Sequence, residues 1–327
     1  MRTGWMIRIC GGLAPMVMLA QSSGHIGGPQ FLANVDGKNE IRPILGVAAA
    51  SSIGPRLSFA HDFAQVALGP VQDYVLAQKR DGGWYLIANP FTASTANAVV
   101  LDASIQGERV IFSRSGSAVM IGSAGAGSAV AVLSELPKAS PNLQSVLLPD
   151  AVAMAAVSDD GSTVLGIAHA DDHDSVWVVA AGRQTMVGSF HRVTATVFLP
   201  NSNDALVLDG GQDALFIVRD AGQRNEMLNL AGHDQGIRSA SAMTTSGDGK
   251  RVYVAVGEPT GVVTIAVDGT AVVEFTACIC SPSELSPLGA DLFVVGGRKE
   301  AGALWMFSRS MDGGRTYFVP RPVEDAQ

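Results

Sequence analysis

The chain has 327 residues, 47% of them hydrophobic and 16% charged, which is enough apolar material for a sizeable buried core and too much for a disordered polymer. Its formal charge of -8 at pH 7 disfavours a nucleic-acid partner. The 37 glycines, with Val and Ala in short runs broken by Asp, Gly, Asn and Ser, favour an all-β chain with many tight turns over one with long helices.

In chain order, residues 1–22 read first, as a secretory signal. Arg2 and Arg8 precede an apolar segment from Ile9 to Ala20, and Ala20-Gln21-Ser22 supplies small residues for cleavage. The segment is too short for a membrane span, and no later stretch is long and apolar enough to be one. Cys10 follows Ile7, Arg8 and Ile9 instead of the small residues of a lipoprotein signal. Cleavage would leave 20 basic against 30 acidic residues, a net charge of -10. The expectation is an extracytoplasmic protein, periplasmic or secreted, with residues 23–30 as a linker, 31–322 as one domain and 323–327 as a loose tail.

Phe31 to Val35 and Glu40 to Leu45 read as two strands ahead of a Gly, Ala and Ser-rich stretch at 46–58. From there apolar strand pairs recur at roughly 40 to 48 residues, a period that implies stacked supersecondary units such as propeller blades. DYVLA (73–77), SAVMIG (117–122), STVLGIA (162–168), DALVL (204–208), KRVYVAV (250–256) and DLFVV (291–295) open the pairs. WYLIA (84–88), SAVAVL (128–133), SVWVVA (175–180), ALFIVR (214–219), VVTIAV (262–267) and ALWMFS (303–308) complete them. A strand leading into a turn precedes each pair, and a more polar strand such as QTMVGSF (184–190) or VVEFTAC (272–278) follows. Each unit is thus a four-stranded antiparallel blade. The pattern favours six blades, the last completed by an N-terminal strand; a seventh blade built from both termini is the alternative. Trp177, Phe216 and Trp305 fall at equivalent places on the third strand, where packing between blades accounts for them.

The segment SGDGKRVYVAVGEPTGVVTIAVDG (246–269) resembles the repeat of YVTN-type bacterial β-propellers, in which a D-G-K-R turn leads into a Y-V strand; VSDDGSTVLGIAHADDHDSVWVVAAG is a looser copy. The resemblance covers about residues 60–320 as architecture and implies the fold far more than an activity, because related propellers include lactonase-like hydrolases and surface-layer proteins.

By analogy with that family, the face carrying the second-to-third strand turns and the blade connections holds the binding site. The turns are 79–83, 123–127, 169–174, 209–213, 257–261 and 297–302. Candidate ligand-binding residues on them are His169, Asp171, Asp172, His173, Asp174, Asp209, Asp213, Glu258 and Arg298, joined by His191, Arg192, His233, Asp234 and Arg238 from the connections. HADDHDS (169–175) is the densest cluster, and a solvated turn is its plainer reading. Consecutive aspartates on a tight turn point apart, so Asp171 and Asp172 are poor joint ligands. A calcium or other divalent site would draw on His173, Asp174, His191 and His233 instead. No G-x-S-x-G, H-E-x-x-H, P-loop or C-x-x-C pattern is present. Cys278 and Cys280 would face the same side of a strand, at a separation that a disulfide reaches only with strain, so free thiols are the expectation. These features favour a monomeric binding or interaction module without a cofactor, directed at a protein or glycan of the cell envelope. The alternative is a metal-assisted, lactonase-like hydrolase or lyase.

Overall fold

The computed structural model describes residues 29–34, 41–47, 50–57, 63–80, 82–91, 98–123, 129–270, 273–289, 291–296, 303–310 and 313–320. The expected signal, the tail, residues 124–127 and the whole 297–302 turn with Arg298 lie outside the described residues.

The described strands form seven antiparallel sheets, six with four strands and one with three. Blade 1 is β1 (Pro29–Asn34), β2 (Ile41–Val47) and β3 (Ala50–Ile53); blade 2 is β4 (Phe63–Leu68), β5 (Tyr74–Lys79), β6 (Trp84–Ala88) and β7 (Ala98–Val100). Blade 3 holds β8 (Arg109–Phe112), β9 (Ala118–Gly122), β10 (Ala129–Ser134) and β11 (Asn142–Leu147), and blade 4 holds β12 (Val152–Val157), β13 (Thr163–His169), β14 (Asp174–Ala180) and β15 (Arg183–Phe190). Blade 5 consists of β16 (Val193–Phe198), β17 (Ala205–Asp209), β18 (Ala214–Arg219) and β19 (Glu226–Ala231); blade 6 of β20 (Ala242–Thr245), β21 (Arg251–Gly257), β22 (Thr260–Ala266) and β23 (Val273–Ala277). Blade 7 is β24 (Ser286–Pro287), β25 (Leu292–Gly296), β26 (Ala303–Ser310) and β27 (Gly313–Pro320). No described helix is long and apolar enough to cross a membrane.

Burial follows position in the blade. Second strands have neighbouring blades on both faces, so β9, β17 and β25 are buried at every residue and read as continuous apolar runs. Outer strands meet water: β15 is exposed over its first four residues and β11 over all but Val146. The turn after the first strand is built locally. Ser158 Oγ donates to Asp160 Oδ1 at 2.6 Å and accepts from Thr163 N at 3.0 Å, and Ser246 repeats this with Asp248 at 2.6 Å and Arg251 N at 3.0 Å. Gly161 and Gly249 close these turns with φ of 72° and 70°, a conformation that strains any residue carrying a Cβ.

Seven apolar clusters fill the blade interfaces, each drawing on two adjacent blades. Trp177, Phe216 and Trp305 pack at the margins of three of them, half-buried. These placements agree with the packing role read from the sequence.

The preferred count of six blades is corrected to seven, and so is the manner of closure. Blade 7 already has four strands drawn from one stretch of chain, so it needs none from the N-terminus. The N-terminal strands form a blade of their own, with Leu32 and Ile41 packed against blade 2 and Ala33, Ile44 and Ile53 against blade 7. Two apolar flanks require a full wedge between those blades, which a single clasping strand could not supply. Among the described residues the chain ends share no sheet.

A channel of about 440 Å³ runs between the inner strands, lined by Leu32, Val66, Val110, Val197, Thr244 and Leu288 among others. Arg114, on the β8–β9 turn of blade 3, also lines it; only 5% exposed, it donates from Nε to the Thr245 carbonyl of blade 6 at 2.8 Å, across 131 residues of sequence. Burial pushes its guanidinium below the ordinary arginine range, against the pull of Asp291, Tyr253 and Asp159. Other bridges join the turns at this end of the ring. Gln72 exchanges hydrogen bonds with both backbone groups of Leu32, Tyr74 Oη donates to Gly116 O, and Asp159 accepts from Ser115 N and Asn201 N.

Candidate functional site

At the opposite end of the ring the second-to-third strand hairpins stand beside the blade connections. In blade 4, β13 and β14 pair through His169 and Asp174, with Ala170 N donating to His173 O at 2.9 Å to close the turn. HADDHDS is therefore a tight hairpin tip. Asp174 at its base is 6% exposed and both its oxygens are engaged: Oδ1 meets His169 Nδ1 at 2.7 Å, and Oδ2 accepts from Val193 N at 2.7 Å, where the chain turns into blade 5.

Blade 5 repeats this device. Asp213, at a φ of 52°, accepts from Ser239 N at 2.9 Å on the way into blade 6, and its other oxygen lies 3.2 Å from His233 Nδ1. Asp209 is fully buried and gathers four backbone N–H groups, from His191, Arg192, Gly211 and Gln212, at 2.8 to 3.2 Å. A carboxylate inside such a cage is fully satisfied and is a framework element. Asp174, Asp209 and Asp213 thus fix the backbone of the blade connections.

Those connections wall a cleft of about 910 Å³. His169, Ala170, Asp171 and Asp174 form the blade-4 side, His191 to Thr194 with Gly210 the middle, and Ser239, Ala240 and Ser241 the blade-6 side. Gly210 permits the close approach of these parts, because a Cβ there would stand 2.6 Å from Thr194 Cγ2 and 2.9 Å from the Ala240 carbonyl oxygen. Ser239 sits in the left-handed region at φ 49°, a conformation costing a non-glycine residue about 1 kcal/mol or more and held here by the Asp213 hydrogen bond.

Five candidates read from the sequence line the cleft together: His169, Asp171, Asp174, His191 and Arg192. Asp172, His173, Asp209, Asp213, His233, Asp234, Arg238 and Glu258 share this end of the ring without lining it. His173 pairs with its neighbour Asp172 at 2.6 Å, which holds that carboxyl below the usual carboxylate range, while Glu258 lies in the turn between β21 and β22. The residues considered for a metal have separate commitments: His173 to Asp172, Asp174 to His169 and Val193, His191 to Gln212, and His233 to Asp213. Among the described residues no three His, Cys, Asp or Glu side chains form a group that could hold a metal ion.

Sequence reasoning missed Thr194, Gly210, Ser239 and Ser241. They are common residues in unremarkable stretches, and only the curvature of the ring brings them beside the blade-4 hairpin. The expectation of free thiols is also corrected: Cys278 and Cys280 form a disulfide just past β23, on the connection into blade 7. The pair lies beyond the strand's end, so the alternation that separates same-face residues on a strand does not apply to it. Ile279 between them is 91% exposed at this same end of the ring.

No protein-family model matches the chain, and no curated protein matches it closely enough to be counted a relative. Solved structures do share its fold. An oligogalacturonate lyase in complex with manganese is 14% identical, with a TM-score of 0.55, over 89% of this chain and 83% of that one. The periplasmic gluconolactonase of Pseudomonas aeruginosa is 18% identical, with a TM-score of 0.55, over 89% and 97%. A protein from Lactobacillus plantarum is 15% identical, with a TM-score of 0.56, over 89% and 96%. At these identities the likeness is one of architecture alone: a β-propeller ring.

Proposed function

We propose that the protein is an extracytoplasmic binding propeller that takes a small polar ligand, free or as the end of an envelope glycan or protein, into the cleft shared by blades 4, 5 and 6. The observation that carries this reading is the cleft's construction. Three carboxylates are spent on fixing its backbone, and the side chains left facing the space are imidazole, guanidinium, carboxylate and hydroxyl groups. Rigid walls with a few convergent polar groups are the usual make-up of a ligand site. The N-terminal signal pattern supports placement outside the cytoplasm.

A second reading, hydrolysis or lysis in the same cleft, is favoured by one contact. The buried Asp174 carboxylate fixes Nδ1 of His169, whose side chain is 65% exposed, and this leaves Nε2 free to accept a proton at the cleft. The likeness to a gluconolactonase and an oligogalacturonate lyase accords with it.

The test is ligand-dependent melting of the mature protein against a panel of sugars, sugar acids, lactones and amino acids, repeated on Thr194→Trp, which fills the cleft. Binding by the parent that disappears in the variant supports the site, and binding equal in both sinks it. Turnover of a lactone or ester that is lost in His169→Gln would establish the second reading.

A further inference from the structure

Two side chains on the cleft wall carry opposite formal charges and no partner. Among the described residues, the guanidinium of Arg192 and the carboxylate of Asp171 make no hydrogen bond and no ion pair. Both face one cleft, yet their charged atoms do not come within 4.0 Å of each other. The other acid on the wall, Asp174, is saturated by His169 and Val193, and His191 Nδ1 meets Gln212 at 2.5 Å. The formally charged side chains on the wall that have no partner are therefore one cation and one anion, held apart.

We infer that the cleft takes a zwitterion, a ligand with a carboxylate for Arg192 and an ammonium group for Asp171: a free amino acid or a short peptide. The inference rests on the reading of this cleft as a ligand site and names what it binds. A guanidinium presents a planar fork that matches a carboxylate in two parallel hydrogen bonds. An ammonium group, with three donors, needs an acceptor charge such as Asp171, and the hydroxyls of Thr194 and Ser239 add neutral acceptors elsewhere on the wall of the same cleft. A ligand with one charge satisfies one wall and leaves the other charge partly desolvated and unpaired. A zwitterion satisfies both, and the separation of its ends is set by the number of residues it contains, about 3.3 to 3.6 Å for each residue of extended chain. The volume of about 910 Å³ exceeds what a single amino acid fills, so peptide length is itself a variable to measure.

Titration calorimetry on the full mature chain, with L-alanine, L-alanyl-L-alanine and tri-L-alanine as probes and propionate and ethylammonium as single-charge controls, tests the idea. At least one zwitterion should bind, with both controls tenfold weaker or more, and the preferred length tells free amino acid from peptide. Arg192→Gln and Asp171→Asn are exposed changes that leave the fold intact, and each should weaken the preferred zwitterion at least tenfold. Arg192→Lys, which keeps the charge and loses the fork, should fall between. Propionate or ethylammonium binding as tightly as the zwitterions, or zwitterion affinity unchanged in both neutral variants, overturns the proposal. If sugars or lactones bind and Thr194→Trp blocks them while no zwitterion binds, the ligand site stands and this inference fails. If neither panel binds, both fail.

Discussion

Replacing Arg114 by Met removes a buried cation from the centre of the ring while keeping an unbranched chain of similar length. The guanidinium belongs to blade 3, donates to the Thr245 carbonyl of blade 6, and lies 5.6 Å from the Phe293 ring of blade 7. Asp159 of blade 4 and Asp291 of blade 7 act on it electrostatically. The two carboxylates keep other donors, since Ser115 N and Asn201 N bond Asp159 and Tyr253 Oη bonds Asp291. What they lose is the compensating charge. Breaking a buried pair from one side costs about 3–5 kcal/mol, in contrast to replacing every member with apolar groups, which is often neutral. The expected loss for Arg114→Met is in that range, read as a lower urea midpoint with an unchanged slope. Arg192→Met, an exposed change at the other end of the ring, should move stability by about 0.5 kcal/mol or less. A loss below about 1 kcal/mol at Arg114 would refute its role in holding four blades together.

Trp84 is fully buried between blades 2 and 3 and Trp177 only half-buried, so Trp84→Ala should cost about 3–5 kcal/mol and Trp177→Ala clearly less, by denaturant unfolding. Asp174→Ala strips the acceptor from Val193 N and the partner from His169; a loss of about 1.5–3 kcal/mol, with faster exchange of the Val193 amide, is expected. Gly210→Ala drives a Cβ into Thr194 and the Ala240 carbonyl, so it should destabilise by about 1–3 kcal/mol and abolish ligand-dependent stabilisation. The hydroxyl of Ser246 and the backbone N–H of Lys250 hold the Asp248 carboxyl below its ordinary value of 3.8. Because the folded value is the lower one, its contribution is complete above pH 3.8 and fades as pH falls through the depressed value, so Asp248→Asn should flatten the acid limb of stability against pH.

The repeat was legible because second strands must be apolar on both faces, and all six strand pairs read from the sequence are present. Two strands of blade 1 were legible but not that they form a blade of their own, since β1 and β2 lack the Ser-x-Asp-Gly turn that marks blades 4 and 6, and Pro43 interrupts the apolar pattern. The loop face was legible as a set of hairpins. Which aspartate serves the backbone and which faces the cleft was not, because Asp171 and Asp174 differ only in where one tight turn places them. The backbone N–H partners of Asp174 and Asp213 lie 19 and 26 residues away, on the chain leading into the next blade, and no local pattern announces them.

A ring whose ends share no sheet has a consequence for how the chain folds. Each of the other six interfaces joins segments that follow one another along the chain, so it can form as soon as the second of them emerges. The flank of blade 1 that carries Ala33, Ile44 and Ile53 must wait for Leu288, Leu304 and Val319, the longest sequence separation spanned by any apolar cluster among the described residues. Contacts of such range form late, and until they form that flank stays open to water and to other chains. Among the described residues no exchanged strand latches this seam, so in the finished protein it is where transient opening should begin. Amide exchange in β2 and β25 would then run ahead of exchange in β13 and β17, deep within the run of consecutive blades.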